Sequence, residues 1–504
     1  MKSFVSNPIS TKTFVASFVL LLSLQIPALS FSINGRIAPR YTVNAAVVEV
    51  ERALDNLVKN LKSRSRFVSL QQAIELALLN NPRLAIKYTT IQQSEWNLIA
   101  VRRSWYPDLE FSNNNSYNFF SKNLPLIVTN STIIAPSVNL NWTFFDPSRA
   151  PNTNSSSEIL RANQLLFNVE ARDIVLQTQL AFFNLQEQQQ LIKNYQGILN
   201  STTEQVTVTV ANFNAGTADI SQVEQIRTQQ LKTLNLLISS YKSLALASAE
   251  LAALIAAPIG TMTLAAGELT LVGEWKESQA ETIAQAERMR EEIQASLAMA
   301  SSFRWSATAI YNSYLPTLNA TAAGNYVSKS TKYENRDQEN ETPIRPVKSI
   351  ERGRISDETN WDNRILLGFN WKVFDGGVKA AQAQAKQYSA QEYVDKAASQ
   401  QLTVTKEVEI AYANYIASKL ALQTTKELVQ SASNALIAVR ARFNNGFSDM
   451  TSVVQAITQS IDASREHAKA TKEYNDAVAL LYRYSAQWPD GALTALNQRV
   501  KVLK

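Results

Sequence analysis

Apolar and polar residues change their spacing twice along this chain, and they do so in the same way in each half. Ser69-Leu70-Gln71-Gln72-Ala73 places a capping serine before a run of helix formers, and Asn80-Asn81-Pro82 stops that helix and starts another reaching about Ser104. Past Trp105-Tyr106-Pro107 the period drops to two, with Leu109, Phe111, Tyr117 and Phe119 on one face and Asp108, Glu110, Ser112, Asn114 and Asn118 on the other. The return segment alternates Val138, Leu140, Trp142 and Phe144 with Asn139, Asn141 and Thr143 before Asp146-Pro147 ends it.

The second half repeats this plan. Ser313-Tyr314-Leu315-Pro316 precedes a weaker strand over Thr317–Ser328, carrying Leu318, Ala320, Ala322 and Tyr326 on one face. Its partner sets Ile365, Leu367, Phe369, Trp371 and Val373 against Gly368, Asn370 and Lys372. Two strand pairs, 108–146 and 317–375, therefore supply four strands of about 10 residues, the length that crosses a bilayer when tilted. Ser121–Pro136 and the charge-dense Lys329–Asp362 are predicted as the loops between them.

Each pair is followed by a very long helical stretch. Ser155–Phe213 holds only Gly197 as a breaker, and Leu166, Val169, Leu176, Leu180 and Phe183 follow a heptad-like spacing that predicts a coiled-coil face. Beyond Gly216, with Thr217 or Ser221 as the expected cap, a second helix carries Ile220, Val223, Leu231, Leu234, Ile238, Tyr241 and Leu251 to Pro258. The other half does likewise over Ala381–Phe443, then from Thr451 through Val454, Ile457 and Ile461 to Pro489.

The turns between these helices show that the chain is a repeat. Phe213-Asn214-Ala215-Gly216-Thr217-Ala218-Asp219 returns 230 residues later as Phe443-Asn444-Asn445-Gly446-Phe447-Ser448-Asp449. Asn141-Trp142-Thr143-Phe144-Phe145-Asp146 returns as Asn370-Trp371-Lys372-Val373-Phe374-Asp375 at an offset of 229. Asp146 to Phe213 is 67 residues and Asp375 to Phe443 is 68, so each arm reaches about 100 Å and the turns are expected to end level. The domain plan is a signal peptide over 1–30, a leader over 31–66 with a helix near Ala45–Leu61, a first repeat over 67–258 with its tip near 213–219, a linker over 259–278, a second repeat over 279–489 with its tip near 443–449, and a tail over 490–504.

Composition narrows the function. Phe14–Leu24, behind Lys2 and Lys12 and before Pro27-Ala28-Leu29-Ser30, has the form of a cleaved export signal, and the mean hydropathy of −0.17 leaves no room for a helical transporter. Removing the signal lowers the net charge of +6 to about +4, too little to argue for nucleic acid. With no cysteine and a single His467, disulfides, a lipid anchor, the usual zinc sites and histidine acid/base catalysis find no residues. Neither an enzyme nor a cofactor is expected. Four strands cannot close a barrel alone, because open edges are not tolerated in lipid, so several chains must contribute. Three would give twelve strands and six hairpins, and the Gln, Ser, Asn and Thr of the helices suit a wet lumen.

The opening helix with Asn81-Pro82, the Tyr106-Pro107-Asp108-Leu109 strand entry, Trp142 and Trp371, and the paired Phe-Asn-x-Gly turns together resemble the TolC-type outer membrane efflux proteins, from Ser69 to Pro489. The resemblance implies an α plus membrane-β fold: a trimeric channel-tunnel with four transmembrane strands per chain in a shared twelve-stranded barrel, continued by helical hairpins as a periplasmic α-barrel. It implies a passive exit duct in the cell outer membrane of a Gram-negative-type bacterium, serving tripartite drug efflux or type I secretion. The partners implied are two further copies, outer membrane lipid, a periplasmic membrane-fusion adaptor and an inner-membrane pump of the RND, ABC or MFS type. Phe213, Asn214, Gly216, Thr217, Phe443, Asn444, Gly446 and Phe447 fall at the tip that meets the adaptor in that family. A glycine that ends a helix with positive φ accounts for Gly216 and Gly446 by itself, but not for the Phe-Asn before them.

Acidic residues that close the tunnel in well-known members are replaced here by Ser452 and Gln455, which points to closure by packing or neutral hydrogen bonds; Asp449 and Glu224 are the nearby carboxylates. Gly446→Pro, or a bulky residue at Gly216, is expected to abolish export. A periplasmic coiled-coil adaptor or structural protein is the alternative. Fractionation separates the readings: the channel stays with membranes through a high-salt wash and conducts ions in planar bilayers, whereas purely soluble recovery excludes it.

Overall fold

The computed structural model describes residues 45–123, 126–258, 260–336 and 351–503. The signal peptide, the start of the leader and the centre of the charged 329–362 segment lie outside the described residues. In chain order the elements are α1 (Ala45–Ser63), β1 (Ser65–Val68), α2 (Leu70–Asn80), α3 (Pro82–Arg103), β2 (Asp108–Asn113), β3 (Ser116–Asn123), β4 (Leu126–Ile134), β5 (Pro136–Phe145), α4 (Arg149–Asn214) and α5 (Ile220–Leu254). They continue with β6 (Met262–Ala265), α6 (Gln279–Met289), α7 (Glu291–Asn312), β7 (Thr317–Arg336), β8 (Glu351–Asn370), α8 (Val378–Asn444), α9 (Met450–Tyr484) and α10 (Ala492–Leu503).

Local chemistry sets the helix starts. Ser69 and Gln72 form a capping box at α2, and Ser278 and Glu281 form the same box at α6. Asn81 ends α2 and caps α3 through Arg83 N–H, while its Nδ2 donates to Leu254 O at the far end of α5, 3.0 Å away. The leader and linker are more ordered than their sequences suggest, since β1 pairs in parallel with β6 from Ser65 opposite Met262 to Val68 opposite Ala265. Four-residue strands leave too short a period to be legible.

One sheet carries the strand pairs as an antiparallel meander: β2 and β3 run beside β5 and β4, both of these pair with β7, and β7 pairs with β8. A single row, Leu109–Leu140–Ala322–Ile365, crosses all four strand lines in register. Most of Ser121–Pro136 is strand, and so are the described parts of Lys329–Asp362, contrary to the expected loops. In 329–362 the alternation is hidden by polar residues on both faces and in 121–136 by consecutive apolar residues, Leu126-Ile127-Val128 and Ile133-Ile134, so the pairing is carried by the backbone; Lys329 stands opposite Glu358. β8 stops at Asn370, so Trp371 and Val373 lie past the strand.

Those end residues form a lock that is built twice. Trp142 Nε1 donates to Trp105 O at 3.0 Å, and Trp371 Nε1 donates to Tyr314 O at 2.8 Å. Arg149 lies over the Trp105 ring and Lys379 over the Tyr314 ring. Indole at this level suits a membrane–water boundary. The second aromatic level is Tyr326 packed on Trp361, ring centroids 4.8 Å apart. Ten residues separate Trp361 from Trp371, about 33 Å of strand, or roughly 25 Å across a bilayer at the usual tilt.

The helices below are two long hairpins. α4 buries Phe167, Ile174, Phe182, Phe183 and Leu185, but of the expected heptad face only Phe183 is buried. The reason is that α4 packs against α2, α3, α5, α7 and α9, which takes a broad apolar sector rather than one seam. The segment between β6 and α6 is strapped to the second hairpin: Tyr474 donates to Gly273 O, Asn475 Nδ2 to Thr270 O, and Trp275 N–H to Tyr415 Oη.

Where the halves meet, Arg172 pairs with Glu291 at 2.9 Å, Arg483 bridges Asp173 at 2.7 Å and Glu292 at 2.6 Å, and Arg290 reaches Glu407 at 2.9 Å. Burial by itself would lower the Arg483 pKa; Glu292 and Asp173 outweigh it and hold the guanidinium above its ordinary value. Burial would raise Glu292, but Arg483 and Arg290 keep its carboxyl below the ordinary range. That contribution to stability is complete above the ordinary glutamate pKa and is lost as pH falls through the lower folded value. Arg483→Ala, which strands Asp173 and leaves Glu292 to Arg290 alone, is expected to cost about 3–5 kcal/mol in thermal unfolding and to move acid unfolding to higher pH. Arg465→Ala, at an exposed i,i+3 pair, is expected to cost less than about 0.5 kcal/mol.

Candidate functional site

Both hairpin turns close in the same way. At the first, Gly216 N–H donates to Phe213 O at 3.0 Å and Thr217 N–H to Asn212 O at 2.9 Å, with Gly216 at φ +76°. At the second, Gly446 N–H donates to Phe443 O at 2.9 Å and Phe447 N–H to Arg442 O at 2.8 Å, with Gly446 at φ +80°. This is the Schellman arrangement, which uses a left-handed residue to satisfy the last helix carbonyls. A Cβ added at either glycine meets nothing within 4 Å, so conformation rather than space selects glycine.

The caps differ from the expected Thr217 or Ser221. Asp219 accepts from Ser221 N–H at 3.4 Å and Asp449 from Ser452 N–H at 2.8 Å. A carboxylate at a helix N-terminus also meets the positive end of the dipole, which a hydroxyl does not exploit. Hydrogen bonds from the Ser452 side chain and backbone hold Asp449 below the ordinary carboxylate range. The structure thus joins two of the four gate candidates, Asp449 and Ser452, through a cap. Gln455 and Glu224 are exposed on α9 and α5 and do not share that contact.

The tip residues fall into two environments. Asn214, Gly216 and Thr217 are exposed with Phe213 half-buried, while Asn444, Gly446 and Phe447 are exposed and Phe443 packs onto the main core. Met450, the first residue of α9, is 1% exposed, whereas Ile220, at the same place in α5, is 40% exposed. The contacts across the hairpins explain this. Arg440, six residues before Gly446, reaches Ser201, fifteen residues before Gly216. Arg483, thirty-seven residues past Gly446, pairs with Asp173, forty-three residues before Gly216. Within each hairpin the arms are level, as Thr425 with His467 and Thr203 with Gln230 show.

The second turn is therefore set back along the first hairpin by about six to nine residues, roughly 10 Å, and is not level with the first turn as equal arms suggested. Its flank covers Met450; the first turn projects freely. Ser201, Arg440 and Met450 carry no motif, and only the cross-hairpin register identifies them. Part of the polar content read as lumen lining is instead a buried seam: Thr209 and Thr233 bond back to Gln205 O and Gln229 O, and Gln230 Nε2 donates to Thr203 Oγ1.

Comparison with known proteins matches the family described as outer membrane efflux protein over residues 73–257 and 280–487. The chain is 21% identical to the outer membrane protein TolC of Escherichia coli (strain K12) over 421 residues, covering 83% of this chain and 82% of that protein. It is 22% identical to TolC of Salmonella enteritidis over 410 residues, covering 81% and 80%. Among solved structures, the Campylobacter jejuni CmeC outer membrane channel superposes with a TM-score of 0.69 at 13% identity, covering 95% of this chain and 98% of that one.

The open space at the turns bears on what a small side chain at Gly216 costs in stability. Ala256 and Ala486 take φ +50° and +60° in equivalent hydrogen-bonded helix ends, so a side chain is tolerated there. Gly216→Ala is expected to cost only about 1–2 kcal/mol, whereas Gly446→Pro removes the N–H to Phe443 O and cannot adopt the φ, costing about 3 kcal/mol or more. Hydrogen exchange at the turns, with thermal unfolding, measures both.

Proposed function

This chain belongs to the outer membrane efflux protein family, and on that premise we propose that three copies form the passive exit duct of a tripartite efflux or type I secretion system, receiving cargo from an inner-membrane pump through a periplasmic adaptor. The sheet carries the reading. Its apolar face, between two aromatic levels about 25 Å apart, matches a bilayer, and among the described residues β2 and β3 on one side and β8 on the other have an outer edge with no strand beside it. Edges of that kind in lipid require another chain, and twelve strands are enough to leave a lumen.

The hairpins fit the same assembly. Ile220, Leu231, Ile238 and Leu246 form an exposed apolar stripe on α5, and Leu402, Ile410, Leu420 and Ile437 form one on α8. Each is a face for the hairpin of a neighbouring copy, while the hairpin interior is filled from within the chain. Phe213, Asn214, Gly216, Thr217, Phe443, Asn444, Gly446 and Phe447 are the docking tip, with the projecting first turn making the leading contact. Closure by packing or neutral hydrogen bonds fits the neutral Ser452 and Gln455 and the use of Asp449 as the α9 cap; of the four gate candidates only Glu224 is a carboxylate outside a cap.

Phe447 is 75% exposed and Thr217 is exposed, so changes there spare the fold. Phe447→Asp with Thr217→Trp is expected to leave the amount of protein in the outer membrane unchanged and to reduce drug export to that of a strain lacking the protein. The same kind of change at exposed Leu493, on α10, is expected to leave export intact. Normal export by the tip variant would show that docking lies elsewhere.

A further inference from the structure

Gly197, in α4, is the only glycine inside a helix among the described residues. A Cβ added there meets nothing within 4 Å and the backbone is helical, so neither close packing nor a left-handed conformation selects glycine. Glycine in a helix interior is less favourable than alanine, so the position carries a cost that the chain's own contacts do not explain. What Gly197 does is line a cavity of about 500 Å³ between α1, the β1–β6 pair, α4 and α5.

A cavity of that size with a mostly apolar wall and a few polar groups has the make-up of a small-molecule site. Val58, Phe67, Ile192, Leu244, Met262 and Leu264 form the apolar wall, and Phe67 is 60% exposed. Two polar side chains of the lining are already engaged: Gln189 exchanges hydrogen bonds with the backbone N–H and carbonyl of Ala265, and Lys193 pairs with Glu268 at 2.6 Å. The lining therefore offers no unmatched charge to an ion. Tyr241 is different. It is 8% exposed, it lines the cavity, and its hydroxyl bonds to no described residue, although a tyrosine buried this far usually finds a partner. Burial first, and then Asp55, hold the phenol above its ordinary pKa, so it keeps a proton to donate.

We propose that this cavity binds an uncharged apolar molecule of drug size that carries a carbonyl or ether oxygen: Tyr241 donates to that oxygen, the apolar wall takes the body, and Gly197 leaves the room for it. The buried hydroxyl then gains the acceptor that the chain does not supply. Met262 suits such a wall, because an unbranched thioether adapts to the shape of what it meets. A molecule held there touches Val58 of α1, Met262 of β6, Ile192 of α4 and Leu244 of α5, and so joins the leader and the linker to the first hairpin. Gly197 lies sixteen residues before Phe213 and none of the lining belongs to the turns, so the site stands whether or not the turns dock a partner.

Benzophenone is a neutral diaryl ketone of this class, and it reports its own position. On irradiation its oxygen takes a hydrogen atom from a neighbouring C–H, most readily one beside sulfur as in Met262, and the two carbon radicals join. The full chain in outer membranes, irradiated with benzophenone and digested for peptide mass spectrometry, is expected to carry an adduct on Met262, with adducts on the strands in lipid as the internal standard. Gly197→Phe fills the cavity and is expected to abolish the Met262 adduct. Gly197→Ala keeps the room and is expected to leave the adduct unchanged, which separates filling from any change in helix stability. Tyr241→Phe removes the donor and is expected to lower the adduct about threefold to tenfold, the effect of one hydrogen bond. No adduct on Met262, the result when a neighbouring copy fills the cavity, overturns the proposal, as does an adduct that Gly197→Phe or Tyr241→Phe leaves unchanged.

Discussion

Hairpins near 100 Å long act as levers on whatever joins them, and the joint here is a set of buried guanidinium–carboxylate contacts. Arg172 on α4 holds Glu291 at the start of α7; Arg483 near the end of α9 holds Asp173 on α4 and Glu292 on α7; Arg290 holds Glu407 on α8. Each pair crosses from one element to another far away in sequence, and Arg172 also donates to Gln487 O at 3.1 Å, fixing the chain where it leaves α9. A buried ion pair adds little stability over a well-packed apolar pair, but it is strongly directional, and a mispaired alternative strands a charge. That suits a joint that must hold two levers at one angle.

The same joint explains why two halves with one plan do not behave alike. In the first half the corresponding corner is neutral, with Asn81 donating to Leu254 O, and the helix end is met by β6 and the strap to α6. In the second half it is ionic, with Arg290 in the position of Asn81. The network ties α4 of the first hairpin to α9 of the second. Phe443 and Met450 pack against the core, and Ile220 is left in solvent. Duplication supplied two equivalent turns; unequal anchoring made one a projecting end and the other a set-back shoulder.

The membrane end is governed by a different constraint. In lipid every backbone group needs a partner, so strand register there is fixed by pairing across the sheet and by the aromatic levels at its borders. Trp142 and Trp371 bond to carbonyls at the ends of α3 and α7, tying the height of the sheet to the start of the helical part. The glycines at 324 and 368 face Asn363 and Asn319 so closely that a Cβ would lie 3.2 Å and 2.7 Å from their side-chain oxygens, which keeps the β7–β8 pair tight.

Sequence by itself determined the features governed by short-range periodicity and by repetition: four strands with one apolar face, two matched hairpins, the Ser69 and Asn81 caps, and the turns at Gly216 and Gly446. Alternation at period two and the steric need for glycine at positive φ act over a few residues, so they are written where they operate. The continuation of strands through 121–136 and 329–362 was not legible, because backbone pairing with a neighbour, rather than side-chain alternation, makes those segments strands. Nor was the buried face of α4, since the five helices and β6 that it meets are chosen by the fold and not by a heptad. The step between the turns was decided only in three dimensions. Equal arm lengths are a property of the chain, but the height at which each arm ends depends on the register between the hairpins, which contacts among residues more than a hundred positions apart hold.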